Sequence, residues 1–341
     1  MVTGQCHDGN DAVEAPDEVA RRPGANRGSP QLPKAHLFLL SRFLHPRDAR
    51  YFDGDANWRA VLGEPPERVV RRFVKEGLLE PASLAECLEA KLTVNELKRL
   101  LRSHGLPVSG RKPELARRLA DGAPDAARQA VVGSEMLRCT DAGRVLAEEY
   151  LVAEQRRRRQ AEEESLQALK ERRFRDAVRS VAEYEREQVF PRGIGLEWDR
   201  IDLDAWDATL RRIFTCRPSI LAGVTKDRLE VLRVGAAMME LWGTNSCAAW
   251  LPEGFEAGTR FDANTAARMI LFHGRHLRDL EEFRRIGVKA VRVLGCGKDS
   301  CEACRAIADK VYPLDRVPEL PYPRCTHDIG CRCLIVPEQF Q

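Results

Sequence analysis

Hydrophobic residues recur at helical spacing along most of the chain, and a short run near residue 70 shows the pattern clearly. Val69, Val70 and Phe73 are predicted to fall on one face of a helix, together with Val74. This helix should begin at the paired prolines that precede it and end at Gly77, a residue favoured just after helix ends. Similar spacing returns in longer runs up to residue 286. The pattern therefore predicts a mainly α protein.

Polar and Gly/Pro-rich stretches divide the chain, so we expect a multi-domain protein. The predicted regions are a disordered tail at 1–34, an N-terminal helical region at 35–90, a two-helix module at 91–122, a linker and long charged helix at 123–190, a helical domain at 191–286, and a small Cys-rich, zinc-ribbon-like α+β module at 287–341.

The long charged helix is predicted to begin after Thr140, whose hydroxyl is suited to capping it. Leu166, Phe174 and Val181 continue the apolar spacing, so one helix is expected to extend to about residue 188. The basic run at 156–159 fits a solvated helix face better than a phosphate contact. A charged helix of this length is typical of a coiled coil, and it is where a protein partner is expected.

Charge and composition restrict the function. The 341 residues carry 55 Lys and Arg against 52 Asp and Glu, a net charge of +3. Any attraction to nucleic acid must therefore be local. The N-terminus lacks a basic stretch followed by an apolar core, and no apolar run reaches membrane-spanning length. We expect a cytoplasmic protein without a membrane partner, in a reducing compartment where clustered cysteines indicate metal before disulfides.

The two-helix module has clear start and stop signals. Thr93 and Glu96 have the spacing of a capping box at the first helix. Gly105 suits the left-handed position that ends this helix, and Pro113 fits the start of the second. The predicted small core consists of Leu97, Leu100, Leu101, Leu106, Leu115 and Leu119.

Positive charge gathers at this module. The free backbone N–H groups of the second helix should lie beside Arg111 and Lys112, which makes this helix start a candidate anion site. Pro113 removes one of those N–H donors. A nucleic-acid phosphate is the anion we expect. The basic residues of the module are Lys91, Lys98, Arg99, Arg102, Arg111, Lys112, Arg117 and Arg118, against the acidic Glu96, Glu114 and Asp121.

Residues 92–121 closely resemble the SAP family. The shared features are the L-x-x-x-L-K pattern, the hinge G-L-P-x-S-G-x-K and the closing L-x-x-R-L. The resemblance implies a helix–extended–helix unit that binds duplex DNA with little sequence preference; a packing or protein-docking hairpin is the alternative. By this resemblance the candidate DNA contacts are Lys98, Arg102, Ser109, Gly110, Arg111, Lys112 and Arg118.

Six of the eleven cysteines lie in the last fifth of the chain. The sequence VRVLG predicts a strand that leads to a C-x2-C turn at Cys301 and Cys304. A Pro-rich excursion follows, and then a second cluster ends in a C-x-C pair at Cys331 and Cys333. Two ligand-bearing turns of this kind can close a tetrahedral thiolate site, which suits Zn²⁺. Because the segment has few large apolar residues, the metal is expected to supply its folding energy.

We favour Cys301, Cys304, Cys331 and Cys333 as the zinc ligands, and the alternates are Cys325, His327 and Cys296. No ligand set leaves an open coordination position beside a general base, so the predicted zinc is structural. Inert or redox-active thiols and disulfides remain alternatives.

The C-terminal segment also resembles the Cys-rich end of Mu-type phage head-morphogenesis (minor capsid) proteins. The shared features are C-x-x-C-R-A at 301–306, K-V-Y-P-L-D at 310–315, a Pro-rich loop and C-R-C after an upstream His. The spacing departs from the family, since Asp-Ile-Gly separates His327 from Cys331. The resemblance implies a phage-derived gene or a portable metal-binding module.

These observations predict a non-catalytic DNA-binding protein with a structural zinc module. A phage-derived head or assembly protein and a nuclease-like DNA-processing enzyme are the alternatives. An enzyme would require clustered catalytic groups, and two candidates exist. One is the acidic run at 198–207, which also fits a capped amphipathic helix. The other is the pair His273 and His276, which has no carboxylate in a recognised metal-binding pattern.

Overall fold

The computed structural model describes residues 32–193 and 197–338. These residues form thirteen α-helices and two three-stranded antiparallel sheets. This confirms the mainly α architecture with a small α+β module at the C-terminal end. The expected disorder of the N-terminal tail concerns residues that lie almost entirely outside the described part of the chain. In the described part, no helix combines the length and apolarity that a membrane crossing requires.

The N-terminal unit contains a sheet that the sequence pattern did not predict. Its elements are α1 (Lys34–Ser41), β1 (Arg47–Asp48), α2 (Ala56–Leu62), α3 (Pro66–Lys75), β2 (Leu79–Pro81) and β3 (Met136–Cys139). The strand order is β1–β3–β2. We expected a helical region at 35–90, and the structure adds the strands β1 and β2 to it. Val74 is 40% exposed and does not belong to the inner face of α3, as had been predicted. The core of this unit includes Phe43, Phe52, Trp58, Val69, Phe73 and Leu79.

A second helical unit is inserted between the paired strands β2 and β3. It consists of α4 (Leu84–Lys91), α5 (Val94–Ser103), α6 (Lys112–Gly122) and α7 (Pro124–Ala130). Its separate core is formed by Leu88, Leu97, Leu101, Leu115, Ala116, Leu119 and Ala127. Arg138 on β3 joins the unit to the sheet, because its guanidinium lies 2.7 Å from Glu80 on β2 and 3.1 Å from Glu86 on α4.

The predicted single long helix is in fact two helices packed against each other. The first, α8 (Asp141–Lys170), is capped by Thr140, whose Oγ1 accepts the N–H of Gly143 at 3.1 Å as predicted. The second is α9 (Phe174–Arg186). Between them Arg172 takes a left-handed φ of 60°, and Arg173 N–H donates to the Ala168 carbonyl at 2.8 Å. The expectation of a continuous helix was therefore wrong. The reversal of the chain allows Leu169 of α8 and Phe174 of α9 to be buried in one core, and this burial stabilises it.

The helical domain and the C-terminal module share one hydrophobic core. The domain contains α10 (Leu203–Thr215), α11 (Lys226–Trp242) and α12 (Ala263–Arg285). The module contains β4 (Ala290–Leu294), α13 (Glu302–Ile307), β5 (Val311–Pro313) and β6 (Leu334–Pro337), with strand order β5–β4–β6. The predicted strand VRVLG corresponds to β4. Val293 and Ile335 are buried in the same core as Leu232 and Met269. The module therefore has more apolar support than its own sequence indicated.

Candidate nucleic-acid interface and metal centre

The two helices of the basic module are fixed by the signals that the sequence predicted. Glu96 Oε2 accepts the Thr93 N–H at 2.7 Å, and Thr93 Oγ1 accepts the Glu96 N–H at 3.3 Å, which completes the capping box. Gly105 has a φ of 66° and ends α5. Leu106 N–H then donates to the Leu101 carbonyl at 2.8 Å, so the chain turns back on the helix as it enters the hinge. The hinge comprises residues 104–111.

The start of α6 is less open to an anion than the sequence predicted. Glu114 Oε2 accepts the Arg111 N–H at 3.1 Å, and the other carboxylate oxygen lies 3.8 Å from the Arg111 guanidinium. Gly110 has a φ of 120°, and a Cβ there would collide with the Glu114 carboxylate. No described residue accepts the N–H groups of Lys112 or Glu114. Two backbone donors are thus available, and side-chain cations carry most of the attraction for a phosphate.

Most of the predicted DNA contacts reach solvent. Arg102, Ser109, Gly110 and Arg111 are exposed, and Lys98 and Lys112 are half-buried. The Arg111 side chain is 91% exposed. No described carboxylate lies within ion-pair distance of Lys98, Arg102 or Lys112. These groups therefore remain available to an external anion.

Arg118 differs from the other predicted contacts because its guanidinium is used inside the module. Nη1 donates to the carbonyls of Pro107 at 2.7 Å and Ser109 at 2.8 Å. The half-buried side chain thus braces the hinge from α6. The spacing L-x-x-R-L could not reveal this, since a hinge brace and a phosphate contact place Arg at the same position.

Residues 90–121 match the family model of the SAP domain. The chain therefore contains a SAP domain. This family points to nucleic-acid binding. Of the curated proteins compared with the chain none matches it, and the same holds for the solved structures. The likeness of the C-terminal segment to phage head-morphogenesis proteins accordingly stays a prediction.

The C-terminal module brings five thiols together. Cys301, Cys304 and Cys325 form one group, and Cys304, Cys331 and Cys333 form another, with the sulfurs of each group within 4.8 Å of one another. Cys304 is common to both. The Cys301 and Cys325 sulfurs are 3.8 Å apart, and those of Cys304 and Cys331 are 3.9 Å apart. With Zn–S bonds of about 2.3 Å, the sulfurs of a tetrahedral site lie roughly 3.8 Å from each other, so these spacings suit a metal ion.

The environment of the thiols favours thiolate at two positions. Burial raises the pKa of Cys301, but hydrogen bonds from the backbone of Thr326 and from Cys304 outweigh burial and bring it to about 6. A hydrogen bond from the Cys333 thiol is the main cause that lowers the pKa of Cys331 to about 6. The remaining three thiols have raised pKa values; burial is the main cause for Cys304 and Cys325. The cluster therefore already contains two sites that favour the deprotonated, metal-binding form.

The other two alternates lie at the edge of the cluster. His327 Nδ1 accepts the Ile329 N–H at 3.3 Å, and Nε2 lies 3.5 Å from an Arg332 nitrogen. Cys296 Sγ faces the Arg332 carbonyl at 3.9 Å. Neither residue belongs to the two thiol groups.

Sequence reasoning missed a residue that supports the cluster from the helical domain. Arg260 bonds to the Cys325 carbonyl through Nη2 and to the Thr326 carbonyl through Nη1 at 3.3 Å. It thus holds the loop that carries Cys325 near the C-x2-C turn. The chain around Arg260 carries no motif, so the sequence offered no signal for this contact.

The groups considered for catalysis have structural partners instead. Asp202 Oδ1 caps α10 by accepting the N–H groups of Asp204 at 2.9 Å and Ala205 at 3.0 Å. Another acid of the 198–207 run, Asp207, pairs with Arg211 on the same helix at 2.6 Å. The run thus fits the capped amphipathic helix.

The two histidines of α12 are buried. His273 Nδ1 lies 2.8 Å from the Leu320 carbonyl, which ties α12 to the C-terminal module. Burial, and secondarily the neighbouring His273, lowers the pKa of His276 to about 4. Both rings are packed against the shared core, and neither belongs to a described cluster of metal-ligating groups.

Proposed function

We propose that this chain is a non-catalytic protein that binds duplex DNA through its SAP domain with little sequence preference. The observation that carries the proposal is the SAP match at residues 90–121 together with exposed cations at the hinge. Arg102 and Arg111 reach solvent, and Ser109 and Gly110 next to Arg111 are small enough to let a DNA backbone approach closely. Phosphate contacts of this kind position a protein on DNA without reading its bases.

In the proposed complex, Arg111 and Lys112 bind phosphates at the start of α6, and Lys98 and Arg102 bind them from α5. The free N–H groups of Lys112 and Glu114 add two donors. Arg118 keeps the hinge in shape while these contacts form. Such an interface releases counterions when it binds, so its affinity should fall steeply with salt.

The experiment is a salt titration of duplex binding by Arg111→Gln with Lys112→Gln in the full chain. Each lost phosphate contact lowers the slope of log affinity against log salt by about 0.9, so we expect a decrease of roughly 2. Two unrelated duplex sequences should give the same result. Lys226→Gln with Lys289→Gln, two exposed cations outside the module, provides the control. An unchanged slope in the hinge variant would contradict the proposal.

We also propose that the C-terminal module binds one structural Zn²⁺ through four thiolates. We choose Cys301, Cys304, Cys325 and Cys331 as the ligands because two pairs of their sulfurs, Cys301–Cys325 and Cys304–Cys331, are 3.8 and 3.9 Å apart. Cys333 is then a neighbour that hydrogen bonds to Cys331. Cys304 belongs to both thiol groups, so binding of the ion would draw Cys331 towards Cys301 and Cys325. The bound ion would join α13 to the loop before β6. This set differs from our sequence-based choice by one exchange, since Cys325 replaces Cys333.

Single Cys→Ser variants distinguish the two sets. The wild-type chain, purified under reducing conditions without chelator, should contain about one zinc per chain by elemental analysis. Cys304→Ser should lose the metal with either set. Loss in Cys325→Ser and retention in Cys333→Ser would support the proposed set, and the reverse would restore the sequence-based one. A wild-type chain without metal would refute the zinc site.

A further inference from the structure

Helix α3 of the N-terminal unit carries a basic face that the SAP domain does not explain. Arg68, Arg71 and Lys75 are exposed and lie at positions i, i+3 and i+7, so they form one stripe along the helix. The stripe is opposite the buried residues Val69 and Phe73. No described carboxylate lies within 4.0 Å of the three cations. The nearby acids are Glu67, which is half-buried, and Glu76, which follows the end of the helix.

The connection between α2 and α3 resembles the turn of a helix-turn-helix. The two helices are joined by three residues, 63–65, and Gly63 takes a φ of 72° at the end of α2. Short turns of this length that contain glycine are typical of DNA-binding helix pairs, in which the second helix enters the major groove. Trp58 and Leu62 on α2 pack in the same core as Val69 and Phe73 on α3.

The elements around this pair extend the likeness. A helix and a strand precede it, and two further strands follow it, in the order α1–β1–α2–α3–β2–β3. The central strand of the sheet is β3, which pairs antiparallel with both β1 and β2. This is the topology of a winged helix-turn-helix, in which the connection between the last two strands forms the wing. In this chain the SAP domain occupies that connection.

A second contact holds α3 in place without using its basic stripe. Glu64 in the turn lies 2.9 Å from Arg72 on α3 and 3.6 Å from His36 on α1. The hydrogen bond from Arg72 is the main cause that lowers the pKa of Glu64. Arg72 is thus committed to the protein, whereas Arg68, Arg71 and Lys75 are free to meet a ligand. This arrangement fits a helix that one face fixes to the protein, while the basic stripe on the other face binds a ligand.

We propose that α3 is a second duplex-DNA-binding element, which enters the major groove and contacts DNA with Arg68, Arg71 and Lys75. The charge of the stripe is complementary to the phosphate backbone, and α3 is the second helix of the pair, the one that enters the major groove in a helix-turn-helix. The site lies outside the SAP domain and stands on other residues, so it goes beyond the function proposed above.

The test uses the full chain and a blunt-ended duplex of about two helical turns. The variant Arg68→Gln, Arg71→Gln, Lys75→Gln is compared with wild type in salt titrations. The matched control is Lys226→Gln, Arg284→Gln, Lys289→Gln, which removes three exposed cations outside both proposed DNA surfaces. In the α3 variant the slope of log affinity against log salt should decrease by up to about three, since each lost phosphate contact accounts for about 0.9. In the control variant the slope should not change. Unchanged thermal unfolding shows that the variants fold.

A second readout reports on the groove. Guanine N7 lies in the major groove, so bound wild-type protein should protect N7 from methylation, and the α3 variant should not. An unchanged slope in the α3 variant would overturn the proposal. A reduced slope without N7 protection by wild type would overturn the placement of α3 in the groove. If instead only the SAP hinge variant kept its slope, the function proposed for the SAP domain would fail while this one stood.

Discussion

Replacing Arg118 by Gln tests whether this residue shapes the SAP hinge or contacts DNA. In the structure its guanidinium donates to the carbonyls of Pro107 and Ser109 at 2.7 and 2.8 Å. Hydrogen bonds from a charged group contribute about 1.5–3 kcal/mol when shielded, and the half-buried position reduces this, so loss of both should cost roughly 1–2 kcal/mol. A change of that size makes local opening about 5–30 times more frequent.

Hydrogen exchange and salt titration together measure the two roles. In Arg118→Gln, the amides of the hinge and the first turn of α6 should exchange faster by about that factor, while those of α3 should not change. Duplex affinity should fall because the hinge cations are no longer held in place, but the salt slope should stay near its wild-type value. Arg111→Gln should show the converse, a lower slope with normal exchange.

Arg118→Lys separates charge from shape. Lys keeps the positive charge, but its flexible ammonium group lacks the planar guanidinium that fixes the direction of the Nη1 N–H groups towards Pro107 and Ser109. A bracing role predicts that the Lys variant remains as defective as Gln in hinge exchange. Restored affinity in the Lys variant would show that Arg118 contacts DNA directly, and the reasoning would be wrong. The same conclusion would follow if the Gln variant had a normally protected hinge but a slope of log affinity against log salt that was lower by about one.

Three further predictions concern the stability of the fold. The pKa of His276 is about 4 in the folded chain and about 6.5 in the unfolded chain, so the unfolded chain takes up a proton more readily. The contribution of the neutral ring to the free energy of unfolding is therefore complete above pH 6.5 and is lost as pH falls towards 4. Between pH 6.5 and pH 4 the free energy of unfolding should fall by about 3 kcal/mol at most through this group, and denaturant titrations of His276→Gln should show a smaller fall than those of wild type. Gly143→Ala should lower the melting temperature despite its better helix propensity, since the new Cβ would collide with the Leu78 carbonyl, whereas Gly223→Ala, with nothing within 4 Å, should not. Chelation should increase exchange around Cys304 without unfolding the module, because Val293 and Ile335 are held in the core shared with the helical domain. Unfolding of the module or of the whole chain on chelation would show that the metal, and not this core, supplies the folding energy.

Local signals made the SAP domain predictable from the sequence. The capping box at Thr93 and the stop at Gly105 both act within one turn of chain, and each was found where it was expected. The same holds for the cap at Thr140 and for strand β4. In each case the deciding interaction joins residues close in sequence, or the apolar run is long enough to show its period.

Other features depend on contacts that no local pattern contains. The strands β2 and β3 are three and four residues long and have the whole SAP domain between them, so neither shows a clear alternation. The reversal at Arg172 has no glycine or proline. It is stabilised by contacts that no local pattern shows, among them the packing of α9 on α8 and the stacking of the Arg172 guanidinium on the Phe214 ring. The approach of Cys325 to Cys301 depends on Arg260 in another domain. For these features the tertiary contact decides, and the sequence alone left the choice open.

The insertion of the SAP domain bears on how strongly the two proposed DNA surfaces act together. A flexible linker would let them search separately, but here β2 and β3 pair directly beside the domain, and Ala82 N–H donates to the Met136 carbonyl at 2.9 Å. Arg138 adds ion pairs to both sides of the junction, although partly exposed pairs contribute little individually. With the two surfaces held at a fixed separation, binding of one places the other at high effective concentration only if the geometry allows both to reach one duplex. If both surfaces share a duplex, Arg71→Gln and Arg111→Gln should each weaken the binding of that duplex, and in the combined variant the two losses of binding free energy should add. If the surfaces bind separate duplexes, each single variant should leave the affinity of the other surface unchanged.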